Sequence, residues 1–184
     1  MKFITLTFAA ALLMLNSNDT TQPLRIDFGQ QKDGQNWMII VDGVMGGLSR
    51  GRKELRENSM YFSGTVSLEN NGGFSSCKAP YVRTDLSSYS TFIIRCKGQG
   101  QAFALTLDND RRWYQPYFKK EFTPTEEWQT FEIPLTEFDL YRIGRKLGTG
   151  PSDEALASTI RIGITTNSKK EGPFDLEVDY IEFR

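Results

Sequence analysis

From Leu24 onward, apolar side chains recur at every second position, a period that fits a strand with one buried face and does not fit a helix. Leu24, Ile26 and Phe28 alternate with Arg25 and Asp27. Phe62, Gly64, Val66 and Leu68 alternate with Ser63, Thr65 and Ser67. Phe92, Ile94 and Cys96 share one face against Ile93, Arg95 and Lys97. Phe103, Leu105 and Leu107 follow, then Trp128 to Ile133, then Ile160, Ile162 and Ile164. In the last run, Phe174, Leu176, Val178 and Tyr180, the phase slips at Tyr180-Ile181, which predicts a bulge or a strand turning between sheets. About ten short strands divided by turns predict an all-β chain, a β-sandwich or jelly roll. A single helical turn is expected over Ser152 to Ala157, with Ser152 as its cap and Asp153 and Glu154 in the first turn.

Two glycine-dense, nearly uncharged segments interrupt this pattern: Val41-Asp42-Gly43-Val44-Met45-Gly46-Gly47-Leu48-Ser49 and Asn70-Asn71-Gly72-Gly73-Phe74-Ser75-Ser76. Glycine supplies positive φ and close backbone approach, so both read as tight connections beside a sheet. Neither carries the Gly-Lys-Ser/Thr of a phosphate loop or the spaced glycines of a dinucleotide fold.

Composition narrows the chemistry. The chain has 184 residues, which suits one core, and its net charge of −1 offers no general attraction for nucleic acid. It contains no histidine and two cysteines, Cys77 and Cys96. A Ser-His-Asp triad, a histidine metal site and a thiolate zinc cluster are therefore excluded. No cofactor and no metal site is expected. The two thiols read as buried small hydrophobes, with a disulfide as the open alternative.

At the start, Met1-Lys2, an apolar run from Phe3 to Leu15 and a polar stretch to Pro23 have the parts of a secretory signal peptide. The run is too short for a membrane-spanning helix, no clean Ala-x-Ala cleavage site follows it, and it holds no cysteine for lipidation. The reading is a signal and linker over 1–22 and one sandwich domain over 23–184, exported to the periplasm or secreted. An uncleaved membrane anchor and a buried first element remain open.

Several local patterns invite a chemical reading. Gly47-Leu48-Ser49-Arg50-Gly51 has the spacing of a nucleophile elbow, but no helix pattern follows it and no histidine exists to activate the serine. Asp108-Asn109-Asp110 lacks the later ligands of a calcium loop and reads as a hairpin connection. The cluster Trp113, Tyr114, Tyr117 and Phe118, beside Arg111 and Arg112, divides between core packing and an exposed binding surface. Arg95 and Arg161 point off a core face; a solvated edge is the default for both, and pairing with Asp42, Asp108 or an anionic partner is the alternative. The carboxylates Asp42, Asp108, Asp110, Glu132, Asp175 and Asp179 are not linked in pairs by any spacing, so carboxylate-only hydrolysis is the weakest of three readings.

Taken in order, these segments resemble a known family. They are Trp37; Asp42-Gly43-Val44-Met45-Gly46-Gly47-x-Ser49; Phe62-x-Gly64; Asn70-Asn71-Gly72-Gly73-Phe74-x-Ser76; and Asp85-Leu86-Ser87. Tyr114-Gln115, Trp128-Gln129, Ile133-Pro134-Leu135 and Glu171-Gly172-Pro173-Phe174-x-Leu176 complete them. The series resembles the complex I intermediate-associated protein 30 family, a galactose-binding-like jelly roll, from about residue 24 to the end. The resemblance implies no catalytic centre. It implies an assembly-factor role among mitochondrial members, while bacterial members are mostly of undefined role. Asp42, Gly43, Met45, Gly46, Gly47, Asn71, Gly72, Gly73 and Phe74 fall on the family's signature. Two features depart from the family pattern: the export signal, and cysteines where aliphatic residues are usual.

The expected role is binding without catalysis, with a protein partner first and carbohydrate as the alternative. The expected binding residues are Asp42, Met45, Asn71, Arg95, Trp113, Tyr114 and Arg142, with Gly43, Gly46, Gly47, Gly72 and Gly73 shaping the loops. One recognition surface is expected to join the two glycine segments to the Trp113–Phe118 stretch.

Overall fold

The computed structural model describes residues 22–184; the expected signal segment, and with it the question of export, lies outside the described residues. Thirteen strands follow one another: β1 (Leu24–Asp27), β2 (Met38–Val41), β3 (Arg50–Leu55), β4 (Met60–Val66), β5 (Ser75–Lys78), β6 (Thr91–Gln99), β7 (Phe103–Asp108), β8 (Tyr117–Phe122), β9 (Gln129–Pro134), β10 (Asp139–Arg142), β11 (Arg145–Thr149), β12 (Arg161–Thr166) and β13 (Gly172–Phe183). One short helix, α1 (Asp153–Ala157), precedes β12. Its Ser152 Oγ accepts a hydrogen bond from Ala155 N at 3.2 Å, the cap the sequence predicts.

The strands form two antiparallel sheets. The first runs β3-β4-β13-β6-β9, with β1 added against the last residues of β13. The second runs β11-β10-β8-β7-β12-β5-β2. The register of β13 on β6 shifts between Val178 and Tyr180, so the slip in apolar phase is a bulge. β3, β8, β10 and β11 lie outside the apolar runs expected to be strands and carry charged or mixed side chains. They join through backbone pairing and show almost no apolar alternation.

The facing sides of the two sheets make one core. Phe62, Phe92, Ile94, Phe174, Leu176 and Phe183 from the first sheet meet Phe103, Leu105, Leu107, Phe118, Ile162 and Ile164 from the second. Aromatic edges tie the layers together: Phe62 lies 4.9 Å from Phe174 and 6.4 Å from Phe103, ring centre to ring centre.

Cys77 on β5 and Cys96 on β6 are free and buried, one in each sheet. Burial pushes both thiols up to about 12, against a neighbouring Lys53 charge that lowers Cys77. A thiol that stays protonated is a poor nucleophile. Iodoacetamide at pH 8 is therefore expected to leave both unlabelled in the folded protein and to label both in denaturant. Rapid labelling of the native protein would contradict this placement.

Candidate functional site

The first glycine segment is built around Asp42. This residue opens a 3-10 turn over Asp42–Met45 and is only 3% exposed. Its Oδ2 accepts from Ser49 Oγ at 2.6 Å, Gly73 N at 2.6 Å and Phe74 N at 3.2 Å, while Oδ1 accepts from Ser49 N at 3.1 Å. One carboxylate thus joins both glycine segments. Burial alone raises its pKa most, but the bonds from Ser49, Gly73 and Phe74 together outweigh that and hold it below the usual carboxylate range.

The glycines permit this approach. A Cβ on Gly47 would stand 2.3 Å from Asp42 Cγ, and one on Gly72 would stand 2.7 Å from Asp42 Oδ2. Gly46 and Gly73 have φ of 82° and 133°, and Asn71 sits at φ 58°. Asn70 Nδ2 donates to Gly46 O at 3.0 Å, a second tie between the segments. Gly43 and Met45 lie in the 3-10 turn itself. Ser49 is spent on Asp42 and Ser67, and Arg50 begins a strand, so the elbow-like spacing around it forms no elbow.

At the opposite end of the second sheet lies the connection from β7 to β8, as the hairpin reading of Asp108–Asp110 expects. Ser75, next to the glycine segments, donates its N–H to Thr166 Oγ1, at the end of β12. Asp108, which leads into the aromatic stretch, faces Arg161, the first residue of β12. Five residue steps of extended chain, roughly 17 Å, separate the two regions. The single surface expected from the sequence is therefore two.

The β7–β8 connection presents Trp113, 68% exposed, with Tyr114 packed edge-on against it at 6.0 Å. Arg142 Nε donates to Tyr114 O at 3.1 Å, which brings three of the expected binding residues together. Beyond Arg142, the β10–β11 turn exposes Ile143, and β11 exposes Leu147. Tyr117 and Phe118 start β8, with Phe118 in the core. An open depression of about 410 Å³ lies beneath the connection, lined by Asn109, Asp110, Arg112, Gln115, Leu140 and Glu154. Asp110 there accepts a two-pronged bond from Arg112, whose guanidinium holds the carboxyl down to about 2.

The face of the second sheet turned away from the core carries a polar row that the sequence reading leaves out. Lys78 Nζ lies 2.7 Å from Asp108 Oδ2, and its stem crosses Gly163, where a Cβ would come within 2.6 Å of Lys78 Cγ. Tyr117 and Tyr141 are register partners, and Lys119 lies over the Tyr141 ring at 4.0 Å. Arg161 corrects an expectation: it is not a solvated edge but 5% exposed. Its Nε donates to Ala79 O and its guanidinium stacks 4.4 Å from the Tyr81 ring. Only the tertiary placement of Tyr81 could reveal that.

Arg95 lies on the far side of the first sheet, ion-paired to Asp179 and 4.8 Å above the Trp128 ring. Neither Asp42 nor Trp113 is among its partners. On that face Glu177 accepts from Ser59 and pairs with Arg56 and Lys97, and Glu182 pairs with Arg25 and Arg184. The Asp175–Asp179 stretch is thus a partly neutralised face rather than a freely solvated one. Among the described residues, no group of three or more cysteines and carboxylates is arranged to hold a metal ion, and no helix is long and apolar enough to cross a membrane.

The sequence profile of the complex I intermediate-associated protein 30 family matches residues 26–178. A curated relative, the mitochondrial Complex I intermediate-associated protein 30 of Mus musculus, is 27% identical over 177 residues, covering 84% of this chain. The match takes in 53% of that relative, so the chain spans about half its length. Among solved structures, a family 11 carbohydrate-binding module from Clostridium thermocellum, in complex with a β-1,3-1,4-mixed-linked tetrasaccharide, superposes with a TM-score of 0.59. It is 19% identical and shares 81% of this chain and 88% of its own. The agarase AgWH50C superposes with a TM-score of 0.54 at 11% identity, over 88% of this chain and 24% of the enzyme. At such identities the likeness is one of fold, and the fold is the jelly roll.

Proposed function

This chain belongs to the complex I intermediate-associated protein 30 family, and on that footing we propose that it is a non-catalytic, assembly-factor-like protein that binds a protein partner. The observation that carries the proposal is the end of the second sheet where Trp113 and Tyr114 are exposed, Arg142 reaches Tyr114 O, and Ile143 and Leu147 are exposed on the adjoining turn and β11, near Arg145. Large exposed aromatic and aliphatic anchors among arginines are the side chains that dominate protein interfaces. The glycine segments serve this surface at a distance, by holding the sandwich in shape through Asp42.

Photo-crosslinking of the full chain in its native cells, followed by mass spectrometry, tests the proposal. Recovery of a reproducible partner that is lost with Trp113→Ala and with Ile143→Ser supports it. Both side chains are exposed, so each substitution is expected to move stability by less than about 0.5 kcal/mol. Capture that is unchanged in both variants, or no reproducible partner at all, would sink it.

A second reading, carbohydrate binding, is favoured by one observation: the paired Tyr117 and Tyr141 beside Lys78 and Asp108 on the open sheet face. Sugar rings stack on such aromatic pairs. Calorimetric titration with mixed-linked β-glucan oligosaccharides is expected to give heat that disappears in Tyr141→Ala; silence with the native chain removes this reading.

A further inference from the structure

We infer that β11 is a docking edge that accepts an extended, acidic segment of a protein partner as an additional strand. The inference rests on the protein-binding reading above and specifies how the partner is held.

Three observations converge. First, β11 ends the order of the seven-stranded sheet, with β10 as its one strand neighbour. In an antiparallel ladder half of a terminal strand's N–H and C=O groups point outward. Among the described residues, no hydrogen bond from another segment reaches the backbone of Arg145–Thr149. Second, the charges around this edge are left uncompensated. Arg142 and Arg145 have no carboxylate within ion-pairing distance among the described residues, while the nearby Asp110 and Asp139 are already engaged by Arg112 and Lys146. On the first sheet, by comparison, Arg25, Arg56, Arg95 and Arg184 have carboxylate partners, whereas Arg52 on β3 donates to Ser63 Oγ. Third, apolar anchors flank the same edge: Ile143 in the turn and Leu147 within the strand.

The occupant follows from these features. The register shifts opposite Leu140 and Tyr141, leaving Leu147 as the extra residue of a bulge, which twists the edge away from a long flat strand of a second copy. A short flexible segment can follow that twist. Backbone pairing supplies its affinity, a carboxylate of the segment meets Arg145 beside its register partner Arg142, and apolar residues meet Ile143 and Leu147.

The test uses the full chain and three fluorescein-labelled decapeptides: alternating Glu-Val, the same with Lys for Glu, and the Glu-Val peptide N-methylated along one edge. The Glu-Val peptide is expected to bind about tenfold or more tightly than either other peptide, and to weaken about tenfold in Arg142→Glu/Arg145→Glu. Hydrogen exchange is expected to slow at Arg145–Thr149 in the complex and not in β3, the edge of the other sheet. Equal binding of the Glu and Lys peptides, indifference to N-methylation, unchanged exchange at β11, or a dimer formed through this edge would each overturn the inference. The two proposals fail separately. A Trp113-dependent partner that leaves β11 exchange unchanged removes strand addition and keeps protein binding. The absence of any such partner removes protein binding itself.

Discussion

Asp42→Ala is expected to destabilise the fold by about 2–4 kcal/mol, because it leaves buried donors without acceptors instead of merely deleting a contact. The carboxylate accepts four hydrogen bonds, three of them from backbone N–H groups at Ser49, Gly73 and Phe74. Asp42 and Ser49 are both buried, and the donors of Gly73 and Phe74 sit in part-buried bonds, so water replaces the lost acceptor only in part. For a domain of this size the loss corresponds to a fall in melting temperature of about 4–16 °C. Asp42→Asn keeps one acceptor oxygen but sets an NH2 group against one of the donor sets, so it is expected to be destabilised as well. Gly47→Ala reaches the same latch from the other side, since its Cβ would overlap the Asp42 carboxylate.

The pH dependence has a fixed sign. The folded-state pKa of Asp42 is depressed. The stabilisation is thus fully present above the unfolded-state value, about 4, and is lost as pH falls through the lower folded-state value. The stability gap between the native chain and Asp42→Asn, measured by urea denaturation, is expected to be constant from pH 5 to 7 and to narrow below about pH 4. A gap that widened on acidification would contradict the latch.

Phe62→Ala is expected to have the largest effect of any single truncation considered, about 3–5 kcal/mol. Phe62 is fully buried on β4 and meets Phe174 from its own sheet and Phe103 from the opposite one. Truncation removes apolar burial and both aromatic edges, and the backbone behind it cannot close the gap. At Gly64, two residues along the strand, a Cβ would stand 2.0 Å from Arg50 O, so β3 and β4 are already at closest approach. Phe74→Ala, at an exposed position of the second glycine segment, is the control and is expected to cost far less. Similar midpoints for the two variants in chemical denaturation would mean that Phe62 is not the bridge between layers.

The loop geometry also explains why the family's signature residues need not touch a partner. Asp42, Gly47, Gly72 and Gly73 meet one another, and their chemistry is consumed in doing so. Trp113 and Arg142 are exposed and both meet Tyr114, yet nothing in their local sequence distinguishes them from core aromatics or ordinary surface charge. The glycine segments are conspicuous because tight backbone approach demands glycine. The proposed docking end is inconspicuous because exposure imposes no residue type.

The amino-acid order alone determined which side of most strands faces inward, the bulge near Tyr180, the capped turn at Ser152 and the tight connections at the two glycine segments. Each of these follows from contacts or φ preferences within a few residues. Tertiary structure alone decided that Gly73 and Phe74 donate to Asp42 from 31 and 32 positions downstream, that Arg161 is buried against Tyr81, and that β12 holds the glycine segments a strand length from Trp113. Those outcomes depend on which strands lie side by side. Period-two alternation says which face is wet and is silent about the neighbour.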